Sequence, residues 1–419
     1  MASNQKTIFV YDDFSSGSPI LMGTLYVNII KGGESYSFEY DKDWLKKTSL
    51  KLTLDPELMP YSGRQYPTGK TIFGLFADAS PDRWGRVLMN KRERILAEKE
   101  GRKPSKLYDS DYLLGVYDET RMGGIRFKTN PDGPFLSDDK ETAAPPWAML
   151  RTLEEASRNF ESDESGLTEK WLNQLIKPGS SLGGARPKAT VVDTKDQLWI
   201  AKFPSRNDEN DTGAWEMVAH DLAGLCRLNV PEAKLEKFSN LGSTYLIKRF
   251  DRVLNKRVHF ASAMTLLGKT DGASAADGTS YLDMAAFIKS YGAQPKQDLL
   301  ELWKRIVFNM AVTNTDDHLR NHAFIITERG WILSPLYDVN PVPYGNELSL
   351  NVDEEDNSIS IELAISTAVR FGISETDAKD YAKDILTIVR ENWEKTASGY
   401  GINRRQIEEM RPAFRACYE

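Results

Sequence analysis

The sequence has 419 residues, room for two or three domains at roughly 100–200 residues each, which excludes a small stapled peptide. Its 40% hydrophobic, 10% aromatic and 27% charged residues describe a chain that folds, and 54 basic against 61 acidic residues give a net charge of −7, the opposite of a chain whose whole surface neutralises nucleic-acid phosphates. The two cysteines, Cys226 and Cys417, lack CxxC spacing and can build neither a disulfide framework nor a cysteine-rich zinc site, which fits a reducing cytoplasm; no signal region and no run of ~18 apolar residues is seen, so neither secretion nor a membrane location is expected.

In chain order, residues 7–11 and 23–30 are rich in β-branched and aromatic residues, and 35–40 alternate at period two, which predicts a small antiparallel sheet. From 79 to 100 the spacing turns helical, with Trp84, Leu88, Ile95 and Leu96 on one face and Arg83, Arg86, Lys91, Arg92 and Arg94 on a solvated remainder. Polar, Pro- and Gly-rich stretches at 129–134 and 138–146 place a domain boundary near 135–145. A helix at 147–159, a Gly-rich turn at 179–184, strands at 189–192 and 197–203, and a helix bearing Trp215, Val218, Leu222 and Leu225 follow, the last stopped by Pro231. Residues 245–250 read as another strand. Beyond about 260 the chain is mainly helical, Leu299, Leu302, Trp303, Ile306 and Met310 marking one apolar stripe.

Three segments carry chemistry. In SSLGGARPK (180–188) adjacent glycines let backbone N–H groups close on phosphate oxygens while Arg186 and Lys188 supply charge; the stretch matches neither GxxxxGK[ST] nor GxGxxG, and alone it reads more readily as a flexible turn than as a phosphate loop. Lys202 lies among apolar strand residues, where an ammonium needs an anion, and Glu216 rides the next helix; a strand Lys oriented by a helix Glu is what protein kinases use, with a surface ion pair as the plain alternative. The third is VTNTDDHLRNHAF (312–324). Asp316 and Asn321 stand five apart, the interval of the kinase catalytic loop, and Asp338 follows Asn321 by seventeen, after a hairpin-like 325–333, where kinases place a metal-binding Asp. Such oxygen donors suit Mg²⁺. His318 and His322 lack a third His or Cys for zinc, and the acidic run 351–357 lacks the Gly and Glu of a calcium loop and reads as a solvated turn.

The chain resembles the HipA-like serine/threonine kinase toxins of bacterial type II toxin–antitoxin systems, through SSLGGARPKA (180–189), WIAKFP (199–204), IKRFDR (247–252), NTDDHLRNHAF (314–324) and SPLYDVNP (334–341), with 60–86 and 111–127 resembling that family's N-terminal part. The resemblance implies an α+β, protein-kinase-like two-lobe fold: a β-rich N-terminal subdomain at 1–140, a nucleotide-binding lobe at 141–260 and a helical catalytic lobe at 261–419. It implies ATP and Mg²⁺ as cofactors and Asp316 as catalytic base. Asn321 and Asp338 would hold the metal; Gly183, Gly184, Ala185, Arg186, Lys188 and Lys202 would meet the phosphates. Lys248, Arg249 and Phe250 would line the adenine, His318 and Tyr337 would neighbour the nucleotide, and Glu216 would orient Lys202. Ser181 matches the serine that such proteins autophosphorylate, switching themselves off, with Ser180 adjacent; added charge beside a bound triphosphate would expel the loop or the nucleotide. The implied partners are a cellular protein substrate, among them an aminoacyl-tRNA synthetase, and a HipB-like helix-turn-helix antitoxin through which DNA is mainly reached. Two rivals stand beside this reading: a catalytically weak co-repressor acting through such an antitoxin, and a small-molecule kinase.

Overall fold

The structure is a computed structural model that describes residues 5–48, 53–81, 83–136, 144–162, 168–179, 184, 186–254 and 256–419. The chain forms two compact units, Met1–Asn207 with Leu246–Ala261, and Asp208–Tyr245 with Ser262–Glu419. Most of the stretch 135–145, and Ser180, Ser181, Gly183 and Ala185, lie outside the described residues.

The first unit opens on the expected sheet. Strands β1 (Gln5–Asp12), β2 (Ile20–Ile30), β3 (Gly33–Tyr40) and β4 (Ile125–Lys128) run in the order β3-β2-β1-β4, every neighbouring pair antiparallel. A register shift between Val10 and Tyr11 falls opposite Gly23, where an added Cβ would stand 2.4 Å from the Glu39 carbonyl; only glycine allows that approach. Alternation sends Ile8, Val10, Leu25, Val27, Phe38 and, from β4, Phe127 inward, where Phe38 meets Phe76 at 5.3 Å; all are fully buried. The helix predicted from 79 begins later. A short turn Gly74–Asp78 ends before Pro81, and the long helix is Arg83–Lys99, because proline disfavours helical backbone at the residue before it. Further helices include Leu150–Glu161 and Thr168–Gly179. The second was not expected, although Leu172, Leu175 and Ile176, all buried, are spaced as one helical face.

A second sheet has the order β5-β6-β8-β7, from β5 (Lys188–Val192), β6 (Leu198–Lys202), β7 (Ala233–Glu236) and β8 (Thr244–Lys248).

The second unit is mainly helical. Helix Thr212–Leu225 starts where Asp211 accepts the Ala214 N–H (3.1 Å), and Asp211 also takes the backbone N–H and the hydroxyl of Ser243 (2.8 Å each). Helix Pro295–Ala311 buries Leu302, Trp303, Ile306 and Met310 completely, as its apolar stripe predicted, and buries Val307 and Phe308 outside that stripe as well. The long helix Glu375–Gly399 packs on both, and its Trp393 stacks on Phe414 with ring centroids 4.2 Å apart. The hairpin expected at 325–333 is formed by Ala323–Thr327 and Gly330–Leu333. Among the described residues no helix is long and apolar enough to cross a membrane.

Candidate functional site

In the first unit the β5–β6 register sets Lys188 directly across from Lys202, so both side chains leave the same face of the hairpin, and both are buried. Buried ammonium groups demand anionic or carbonyl company. The turn that fixes this register is built on Asp193, whose carboxylate accepts the N–H groups of Lys195 (2.8 Å) and Gln197 (2.9 Å) and the Trp199 indole (3.0 Å). Burial acts to raise the Asp193 carboxyl, but these bonds and the charge of Lys248 hold it below its ordinary value. Gly184, at φ +74°, comes so close that an added Cβ would stand 2.6 Å from the Lys188 ammonium. Trp84, counted from sequence only as a core residue, ties this segment down: its N–H donates to the Gly184 carbonyl (2.9 Å) and its indole to the Lys188 carbonyl (3.0 Å). Arg186 donates to the Phe203 carbonyl (3.2 Å).

The stretch Lys248, Arg249, Phe250 continues from β8, the Arg249 N–H donating to the Leu198 carbonyl (2.9 Å). The Arg249 side chain turns into a buried ion network. Its Nε and Nη2 donate to Asp251 (2.8 and 2.7 Å) and its Nη1 to the Thr120 carbonyl (2.8 Å); Arg252 (2.8 Å) and the Gly123 N–H (2.7 Å) also reach Asp251. Burial works to raise the Asp251 carboxyl, and the guanidinium groups of Arg249 and Arg252 overcome it, holding the group well below the usual carboxylate range. Phe250 packs edge-on against Phe260 at 5.9 Å.

In the second unit helix Pro295–Ala311 delivers the loop that carries Asp316 and Asn321. Thr313 sits at φ +50° with its hydroxyl on the Ala413 carbonyl (2.7 Å), and Asn314 folds back on Asn309, donating to its side chain (3.1 Å). Asp317 is the buried anchor. Its Oδ2 accepts from the Tyr281 hydroxyl (2.6 Å), Asn309 Nδ2 (2.5 Å) and His322 Nε2 (3.0 Å). Burial would raise this carboxyl, but His322 and the Tyr281 bond bring it below its ordinary value. Asp316, next in the chain, is the reverse case: its side chain is 82% exposed and 4.0 Å from His318. The protein atoms around it, with the charges of Asp338 and Asp317, raise its carboxyl against the lowering effect of His318, and the exposed position screens much of that shift. Asn321 donates its amide to the Asp316 carbonyl (2.8 Å), which fixes the side chain so that its oxygen, not its NH₂, is left to face a cation. The Tyr337 hydroxyl holds the Arg320 carbonyl (2.7 Å).

Asp338 has φ +60°, left-handed backbone that a non-glycine residue adopts at a cost of about 1–3 kcal/mol. It lines a small cavity together with Glu216, His220, Tyr245, Leu336 and Tyr337. Glu216 and Asp338, 122 positions apart, thus share one cavity, while Lys202 belongs to the other unit. Burial, then the charges of Glu216 and Asp338, push the Tyr245 phenol far up, so it stays a neutral hydroxyl. The side-chain oxygens of Asn321 and Asp338 are of the type a hard cation takes together with phosphate and water; among the described residues no group of three or more His, Cys, Asp or Glu could hold a metal by itself. Sequence reasoning missed His220, one helical turn after Glu216, and Asp317, whose partners Tyr281 and Asn309 lie in other helices; the i, i+4 spacing could have flagged the first.

Comparison with known proteins identifies the family. "Putative kinase Y4dM" of Sinorhizobium fredii is 24% identical over 374 residues, 83% of each chain; "Putative kinase Y4mE" of the same organism is 29% identical over 149 residues, a match spanning only 33% of either chain. In fold, the chain superposes with a TM-score of 0.65 on a chain of the Shewanella oneidensis toxin–antitoxin HipA, HipB and operator DNA complex, at 16% identity and covering 98% of this chain and 96% of that one. Residues 20–103 match the HipA N-terminal domain and residues 180–393, half of the sequence, the HipA-like C-terminal domain; the chain belongs to the HipA family.

Proposed function

We propose that this chain is an ATP- and Mg²⁺-dependent protein serine/threonine kinase acting as the toxin of a toxin–antitoxin pair. The observation that carries the reading is the loop 313–322: an exposed Asp316 carboxylate on a loop held by the buried Asp317, with the Asn321 amide locked on the Asp316 carbonyl. In the reaction, Asp316 accepts the proton of a substrate Ser or Thr hydroxyl as its oxygen bonds the γ-phosphorus and the bond to the β-phosphate oxygen breaks, releasing ADP. Asn321 and Asp338 are the metal-holding residues, and Mg²⁺ there offsets the negative charge of the phosphates. Lys188, Lys202, Arg186 and the Gly183, Gly184, Ala185 backbone meet the phosphates, and Glu216 orients Lys202. Lys248 and Phe250 line the adenine, and Arg249, its guanidinium committed to Asp251 and Thr120, contributes there through its backbone. His318 and Tyr337 flank the nucleotide. Autophosphorylation at Ser181 switches the enzyme off, and a HipB-like antitoxin is the partner through which DNA is reached.

The full chain incubated with ATP and Mg²⁺ should acquire a phosphate at Ser181, read by mass spectrometry, and Asp316→Asn should abolish it and any growth inhibition on expression. Transfer undiminished in Asp316→Asn would sink the assignment. Nucleotide binding with no transfer to any protein, alongside antitoxin binding, would favour the co-repressor.

A further inference from the structure

His220 lies outside every role assigned above, yet both of its ring nitrogens face oxygen. Nε2 is 2.7 Å from the Pro231 carbonyl, and Nδ1 is 3.2 Å from Asp221 Oδ1. A carbonyl oxygen only accepts. Asp221 only accepts as well when ionised, and its other oxygen already receives the Tyr400 hydroxyl at 2.5 Å. A neutral imidazole owns one N–H and one lone pair, so it would satisfy one neighbour and press its lone pair against the other. The arrangement is satisfied only by a ring with two N–H groups. We therefore propose that His220 is a standing imidazolium, clamped between Asp221 and Pro231, and that it serves as a positioning residue whose positive charge supports the ionised Glu216 one helical turn away in the shared cavity.

The surroundings agree. The His220 side chain is only 14% exposed, and Asp221 34%. Burial opposes the charge on His220, but the Asp221 and Pro231 bonds and the charges of Asp221 and Glu216 raise its pKa above the ordinary value. Burial likewise acts to raise Asp221, while His220 and Tyr400 hold it down, so the carboxylate stays ionised. From neighbouring elements Tyr245 meets the ring 6.4 Å away in T-shaped contact and Tyr400, which follows helix Glu375–Gly399, reaches it through Asp221; Asp338 lines the same cavity. Hydrogen bonds therefore run from Tyr400, just past helix Glu375–Gly399, through Asp221 to His220, whose charge acts on Glu216 one helical turn away. The role of Glu216 in orienting Lys202 rests on the proposed function, whereas the state of the ring does not.

The test is ring ¹⁵N NMR of the full chain, which has only four histidines. His220→Gln assigns the signal. At about pH 7.5, a unit above the ordinary histidine pKa, His220 should still show two N–H groups. Asp221→Asn should lower its midpoint by about one pH unit or more, and Glu216→Gln should lower it by a smaller, measurable shift. The signals of buried His259 and His322, unchanged, certify that each variant is folded. A ring with one N–H at that pH, or a midpoint unmoved in either variant, overturns the proposal. If the wild-type chain transfers no phosphate while the ring behaves as stated, the kinase reading fails and this one stands; transfer with a singly protonated ring fails this one alone.

Discussion

Replacing Asp317 with alanine tests how the loop of Asp316 is held. Three buried donors, Tyr281 Oη, Asn309 Nδ2 and His322 Nε2, converge on the single oxygen Oδ2. Leaving a buried donor without its acceptor costs about 1–3 kcal/mol, and because the three share one site the sum is about 3–6 kcal/mol rather than the full total. Against a typical stability of about 5–15 kcal/mol this is a large fraction, and at about 2–4 °C per kcal/mol it lowers the unfolding midpoint by roughly 10–20 °C. Asp317→Asn separates charge from geometry: an amide oxygen in the place of Oδ2 keeps all three bonds, so its loss should be no more than about half as large. Because the folded-state value of Asp317 is lowered, its contribution is present above the unfolded value of about 3.9 and disappears as pH falls through the folded one. The gap between wild type and the alanine variant should therefore narrow only in strong acid. Thermal unfolding followed by circular dichroism reads all of this, with phosphoryl transfer measured below the transition. An alanine variant within 1 kcal/mol of wild type, or an asparagine variant as damaged as alanine, would refute the argument.

Asp251→Ala leaves the fully buried Arg249 guanidinium and the nearly buried Arg252 without their carboxylate, an uncompensated arrangement that costs about 3–5 kcal/mol by chemical denaturation, whereas Arg405→Ala, at an exposed i, i+4 pair with Glu409, should leave the midpoint in place. Gly345→Ala should slow transfer more than it destabilises, since its Cβ would stand 2.2 Å from Thr315 Cγ2, beside Asp316; an unchanged rate would contradict this. Burial pushes the Cys226 and Cys417 thiols up to about 12, so a thiol reagent at about pH 8 should label neither in the native protein and both after unfolding.

What could be read from the sequence was whatever short spacing encodes. The interval from Asp316 to Asn321 survives as a loop because five residues leave little freedom, and the stripe from Leu299 to Met310 became the buried face of one helix. The fate of Arg249 was not legible: its carbonyl partner Thr120 lies 129 positions away, and nothing local distinguishes an arginine facing a nucleotide from one facing a buried carboxylate. Asp317 reads in sequence as one more polar loop residue; its identity as the anchor depends on Tyr281, which only the packing of another helix supplies. Trp84 was placed correctly in a core, but its indole N–H, and so its grip on Lys188, depends on a strand about a hundred residues on.

The β5–β6 hairpin works as a ruler. Counting outward from the turn at Asp193, the paired positions run from Val192 with Leu198 to Lys188 with Lys202, so the two ammonium groups sit together only because both arms have equal length. One residue inserted or deleted in either arm would send one lysine to the opposite face of the sheet while leaving its strand intact. An insertion in either arm would therefore part Lys188 from Lys202 without replacing any residue, and under the proposed function it should weaken nucleotide binding as losing Lys202 would.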